Sequence, residues 1–293
     1  MENNIASCLT GTEPLDGGPS ARPSPLPLRA GSDRRPHAAR AGALARLKAD
    51  LALRVAATPC GGADVDARQN HPPAKTGALF PPDQAAGASI SRRDGHPAWL
   101  APGALHDLFA GVADGPAAHG FATGHAIRIA AGRPVVWAFH DMAGRELGRP
   151  HGEGLADLGL DPDALLLVRA RTVPELLGAA EEAARYNAVG VVIISAWGAA
   201  KAFDLTASRR LALVAARSGV AILAVRIAAD PAPGAAWSRW TVRAAASRLL
   251  EGDAPGHPAF SVTLLRHRGG AAPATWILEW DRAQRTFREG ASG

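Results

Sequence analysis

Val189-Gly-Val-Val-Ile-Ile-Ser195 carries the strongest strand signal in the chain. A short apolar run of this kind, without polar alternation, predicts a strand buried on both faces. The segments on either side predict helices. Pro174–Asn187 opens with proline in its first turn and Glu175 beside it, as helix starts favour. Downstream, Asp204 or Thr206 is placed to cap a helix that runs to about Ser218, where Gly219 stops it. Val220–Ile227 then reads as another apolar strand, and upstream Pro134–Phe139 and Leu165–Val168 read the same way. Strands alternating with helices imply parallel β-α-β units with right-handed crossovers.

Outward from this core the grammar changes. The folded body is predicted to begin near Trp99, with Ala104–Ala110 as a short helix or turn and Ala122–Ala131 as a helix. After Trp237, three strand-like runs follow without helices between them: Trp240–Ala246, Phe260–His267 and Thr275–Trp280. They predict an antiparallel extension of the sheet. Residues 1–40, rich in Pro, Gly and Ser, read as a disordered lead. Over 41–57, Leu44, Leu47, Leu51, Leu53 and Val55 interleave with Arg46, Lys48, Asp50 and Arg54, which predicts one amphipathic helix. Residues 58–97 return to Pro and Gly and read as a linker. The predicted organisation is therefore an α/β core over 98–251 and a C-terminal β extension and tail over 252–293.

Charged residues make up 20% of the 293 and hydrophobic residues 47%, enough apolar material for a core and too much for whole-chain disorder. Of 32 basic residues only Lys48, Lys75 and Lys201 are lysines, and none follows a glycine. No intact G-x-x-x-x-G-K-[ST] phosphate loop exists in the chain. Cys8 and Cys60 lack C-x-x-C spacing, and the ten histidines form no H-x-x-x-H pair, so neither a metal nor a disulfide framework is expected. The opening Met-Glu-Asn-Asn lacks a basic region followed by an apolar run, and no later segment has membrane-spanning length. The expectation is a soluble cytoplasmic protein. Net charge is +5 and spread thinly, which argues only weakly for nucleic acid.

Several apparent catalytic patterns dissolve on inspection. Ser195 is not in a G-x-S-x-G elbow. Gly152-Glu-Gly154 lacks the third glycine and the preceding strand of a dinucleotide fingerprint. Glu181 and Glu182 are adjacent on a helix and face different directions. The informative stretch is Asp114-Gly-Pro-Ala-Ala-His-Gly-Phe-Ala-Thr123. Gly115 and Gly120 have the spacing of the two glycines of a phosphate loop, and a helix is predicted next. Phe121 and Ala122 stand where the phosphate-binding lysine and the magnesium-holding hydroxyl would be.

The order of these segments resembles the RecA recombinase core. Residues 115–131 lie without gaps over that family's phosphate loop and following helix. Gly159-Leu-Asp-Pro-Asp-Ala-Leu-Leu-Leu-Val168, Glu175-Leu-Leu-Gly-Ala-Ala-Glu-Glu and Val189-Gly-Val-Val-Ile-Ile-Ser195 follow its path into the second nucleotide-binding strand. Within that superfamily the chain is similar to the ImuA family. The matching pieces are Ala104-Leu-His-Asp-Leu-Phe-Ala110, Gly154-Leu-Ala-Asp-Leu-Gly-Leu-Asp-Pro162, Leu205-Thr-Ala-Ser-Arg-Arg-Leu211, Ser238-Arg-Trp240, Leu264-Leu-Arg-His-Arg-Gly-Gly270 and Trp276-Ile-Leu-Glu-Trp-Asp281.

The resemblance implies a RecA-like core and a role in damage-induced (SOS) translesion synthesis. The implied partners are ImuB, an inactive polymerase relative, an error-prone replicative-type DNA polymerase, and RecA. It also implies where catalysis is lost. Phe121 and Ala122 replace the loop lysine and threonine, Ser195 replaces the aspartate ending the second strand, and His140-Asp141 stands where a catalytic glutamate is carried nearby. No ATP cofactor and no turnover are expected. The two DNA-binding loops of RecA are reduced to roughly 196–203 and 228–236. Arg209, Arg210, Trp237, Arg239 and Trp240 remain as candidates for contact with DNA or a partner, against core packing for the tryptophans and a solvated or ion-paired role for the arginines. The 41–57 helix is expected either to dock on a RecA-fold or polymerase-associated partner or to cap its own core. A weak ATP-dependent recombinase mediator and a SulA-like cell-division inhibitor stand as alternative functions.

Overall fold

The computed structural model describes residues 100–290 together with Gly42, residues 45–47 and Ala49. The expected lead (1–40) and linker (58–97) lie outside the described residues. Of the 41–57 segment the five described residues are all helical, and Leu47 is buried among the chain's own core side chains.

Nine strands form one sheet in the order β3-β2-β4-β5-β1-β6-β7-β8-β9. They are β1 (Leu105–Ala110), β2 (Val135–His140), β3 (Leu165–Ala170), β4 (Val191–Trp197), β5 (Ala221–Ile227), β6 (Ser238–Ala244), β7 (Ala259–His267), β8 (Ala274–Asp281) and β9 (Thr286–Glu289). β3 through β6 in that order pair in parallel, and β7, β8 and β9 continue antiparallel. This is the expected class: α/β, mainly parallel, with an antiparallel C-terminal extension.

Among the described residues of the body, five α-helices lie between the strands: α1 (Gly115–Ala130), α2 (Asp141–Glu146), α3 (Gly152–Leu158), α4 (Val173–Arg185) and α5 (Leu205–Ser218). α1 crosses β1, β4, β5, β6 and β7, and α3 packs beside α1. α4 and α5 pack together, α4 over β2, β3 and β4 and α5 over β1 and β5. Two apolar clusters result, one under α1 and one under α4 and α5, with the central strands contributing alternate residues to each. That two-sided burial is why the Val191–Trp197 and Ala221–Ile227 strands read as continuous apolar runs. The helix ends follow local chemistry. The Asp204 side chain accepts from Ala207 N at 2.8 Å, and Gly219 closes α5 at φ 77°.

Three expectations need correction. Residues 105–110 form a central strand, where a helix or turn was expected. His106 and Asp107 break the apolar run, yet both are buried, because the fold supplies them with polar company. β6 is parallel to β1, so the antiparallel extension starts one strand later, at β7. The unpredicted β9 pairs with β8, and α2 and α3 occupy the β2–β3 connection. Among the described residues no helix is long and apolar enough to cross a membrane.

Candidate functional site

The β1–α1 connection is only residues 111–114. Asp114 N donates to Gly111 O at 3.1 Å and Gly115 N to Val112 O at 3.2 Å, a tight turn that delivers the chain into helix at Gly115. Pro116 sits in the first turn, where its fixed φ suits a helix and its missing N–H costs nothing. The glycine pair therefore does not cradle anything: Gly115, Gly120 and Phe121 lie within α1, where a loop was expected, and Ala122, expected to open the helix, lies inside it. Phe121 is wholly buried, its ring meeting His125, Phe260 and Phe287 at centroid distances of 4.6, 5.9 and 5.3 Å. Gly120 is small because the Phe260 ring lies against it; an added Cβ would sit 3.2 Å from that ring. At Gly124 the same atom would lie 2.7 Å from Phe287 and 2.9 Å from Trp280. The Asp114 carboxylate turns to the end of β6, accepting from Ala244 N at 2.9 Å, with Arg243 Nε 3.9 Å away.

Behind the first turns of α1 the space is closed by a polar chain that sequence reasoning did not find. The Trp137 indole N–H donates to Ser195 Oγ at 2.7 Å, and Ser195 Oγ lies 2.8 Å from His119 Nε2. His119 Nδ1 lies 2.8 Å from the carbonyl of Gly115, which can only accept. The imidazole therefore carries its proton on Nδ1, and Nε2 accepts from the Ser195 hydroxyl. Burial pushes His119 down to about 4, so the ring is neutral at physiological pH. His119 also stacks on Trp137 at 5.5 Å and 22°. The signal was present in part: a histidine one turn into a helix and a serine ending a buried strand, far apart in sequence.

This chain borders a cleft at the carboxyl ends of β2 and β4. From β2 the path leads outward to β3 on the α3 side of the sheet; from β3 it returns over α4 to β4 and then over α5 to β5. Neighbouring β2 and β4 thus send their connections in opposite directions, the switch point at which open parallel sheets hold ligands. A cavity of about 140 Å³ opens there, walled by Pro116, Trp137, Phe139 and Leu147, with Arg149 and Ser195 contributing polar atoms. Of the His140-Asp141 pair expected near a catalytic centre, Asp141 is engaged by Arg169 through two hydrogen bonds, one of 2.8 Å, and that contact holds its carboxyl below the ordinary range.

A second polar cluster lies on the α5 face. Buried Asp107 stands 3.8 Å from Arg239 Nε, and burial pushes its carboxyl up to about 6 against the pull of Arg226 and Arg239. Arg226 is buried between the Phe109 and Phe203 rings, 5.1 and 4.7 Å from their centroids.

The predicted contact residues do not share one surface. Arg209 and Arg210 are exposed on α5, and Arg210 pairs with Glu181 of α4. Arg239 is turned inward to Asp107. Trp240 is wholly buried under α1, donating to Ser238 Oγ at 2.7 Å, and presents no face for stacking. Half-buried Trp237 stands edge-on to His267 at 5.8 Å. Among the described residues no group of His, Cys, Asp or Glu is arranged to hold a metal.

Fold and cleft together define an α/β protein with a largely parallel sheet, in which the first strand runs directly into helix and a small cleft opens at the β2–β4 divide. No protein-family model matches the chain, and no curated protein matches it. Among solved structures it is similar to the crystal structure of the RadB recombinase, at 16% identity over 66% of this chain and 93% of that one, with a TM-score of 0.46.

Proposed function

We propose that this chain is a RecA-like accessory protein without ATP turnover, acting by assembly. On this reading it serves damage-induced translesion synthesis alongside an ImuB-type polymerase relative and an error-prone replicative-type polymerase, and it engages RecA. One observation carries the non-catalytic part of the reading. The segment with phosphate-loop glycine spacing is helix, with Phe121 in the core, and the space behind it is filled by the Trp137–Ser195–His119 chain. Phosphoryl transfer relies on a cation and a metal to stabilise developing charge. A phenyl ring, a methyl group and a neutral imidazole offer neither. The motif resemblance supplies the pathway and the partners.

The test is equilibrium binding of purified full-length protein to magnesium-ATP and, separately, to an ImuB-type protein and to RecA. Partner binding without nucleotide is the expected result. Saturable magnesium-dependent ATP binding would overturn the non-catalytic reading, and failure to bind any of the partners would overturn the assembly role.

A further inference from the structure

The 140 Å³ cavity at the β2–β4 divide is left over once the Trp137–Ser195–His119 chain is accounted for. Its walls are apolar: Trp137, Phe139, Leu147 and Pro116. His119 lines it too but offers no free hydrogen-bonding atom, since one ring nitrogen meets Ser195 and the other Gly115. Ser195 accepts from Trp137 and donates to His119, which leaves one lone pair on its oxygen. No Asp or Glu lines the space. The single charged residue that lines it is Arg149, which is exposed and without an ion pair among the described residues. A pocket with apolar walls and one positively charged polar group selects a ligand with an apolar body and one negative end. Size narrows it further, since a cavity of about 150 Å³ accepts one benzene ring.

From these features we propose that the cavity binds a compact aromatic carboxylate of the size of benzoate, its ring against Trp137 and Phe139 and its carboxylate on Arg149. The inference rests on the reading that this cleft does not take nucleotide, and it gives the remodelled cleft a small ligand in place of ATP.

Benzoate is the probe, titrated into the full-length protein by calorimetry, with neutral benzamide and magnesium-ATP as separate arms. Arg149 is exposed and removed from the core, so Arg149→Gln keeps the fold. Saturable benzoate binding that weakens by about tenfold or more in Arg149→Gln, with benzamide equal on both proteins, is the expected result. No saturable benzoate binding, or benzoate binding unchanged in the variant, overturns the proposal and leaves the non-catalytic reading standing. Magnesium-ATP binding that competes with benzoate overturns both.

Discussion

His119 and His106 are wired alike, although one lies on a helix and the other on a strand. His106 Nδ1 lies 2.7 Å from Ser238 Oγ and its Nε2 3.0 Å from the carbonyl of Ala101, while Trp240 donates its indole N–H to the same serine at 2.7 Å. Each histidine thus sits between a backbone carbonyl and a serine that a tryptophan also holds. His106 is buried and His119 half-buried, and loss of water pushes both down to about 4. The repetition shows how this fold satisfies polar groups inside a sheet: it closes short chains that need no charge and no water.

That wiring dictates a pH response. The unfolded imidazoles bind protons below about 6.5, whereas the folded ones resist until about 4, so stability is complete above pH 6.5 and falls as pH drops toward 4. The slope is roughly 1 kcal/mol per pH unit for each imidazole. Asp107 acts in the opposite sense, since a carboxyl raised to about 6 contributes stability below the ordinary 3.8 that is lost as pH rises through 6. Two imidazoles outweigh one carboxyl. Urea midpoints should rise between pH 4 and 6.5; a flat or falling profile would contradict the assignment.

Asp107→Asn isolates the other cluster. Asparagine mimics the neutral carboxyl that burial favours despite Arg226 and Arg239, so the variant escapes the stability loss that the wild type suffers as Asp107 ionises. Below pH 6 the wild-type carboxyl is itself protonated. In chemical denaturation the variant should therefore be more stable relative to wild type at pH 7 than at pH 5, and an equal difference at both pH values would count against the assignment.

Restoring the missing loop residues tests the helical placement of the segment. Phe121→Lys with Ala122→Thr puts an ammonium into an aromatic cluster inside α1, where losing the phenyl ring alone costs about 3–5 kcal/mol. The expected outcome is a lower melting temperature and no ATPase activity while Ser195 remains. Activity in a stably folded double variant would show that a working phosphate loop can still form.

Gly124→Ala should destabilise by roughly 1–3 kcal/mol through overpacking against Phe287 and Trp280. Gly120→Ala meets only the Phe260 ring, at a looser 3.2 Å, and should cost less. Thermal melts of the two variants give the order directly, and the reverse order would mean that α1 sits differently on the sheet.

Ser195→Ala removes the acceptor of the Trp137 indole N–H and the donor to His119 at once. With Trp137 buried and His119 half-buried, about 1–3 kcal/mol of stability should be lost. Ser195→Thr, which keeps the hydroxyl, should recover part of it in the same denaturation assay.

These effects show where the sequence was readable. The parallel strands and the α4 and α5 helices were legible because burial and capping are written locally, in apolar runs and in Asp204 and Gly219. The β1 strand was not, because His106 and Asp107 take their partners from Ser238 and Arg239, far along the chain. The same holds for the cleft: nothing near His119 announces Ser195 or Trp137. Two glycines at phosphate-loop spacing suggested a loop, whereas Gly120 answers to the Phe260 ring across the sheet.

The place of β1 in the sheet has a consequence for synthesis on the ribosome. Its partners are β5 and β6, and the helix that follows it is packed against by Phe260, Trp280 and Phe287, the last of these in the final strand. As the first of the strands to be made, β1 must wait for β5 and then β6 to be translated before it can pair on either side. Such non-local closure is slow and leaves β1 and α1 uncovered during elongation. Nascent chains arrested before Phe287 should therefore depend on chaperones, and completion of the last strand is the event that releases them.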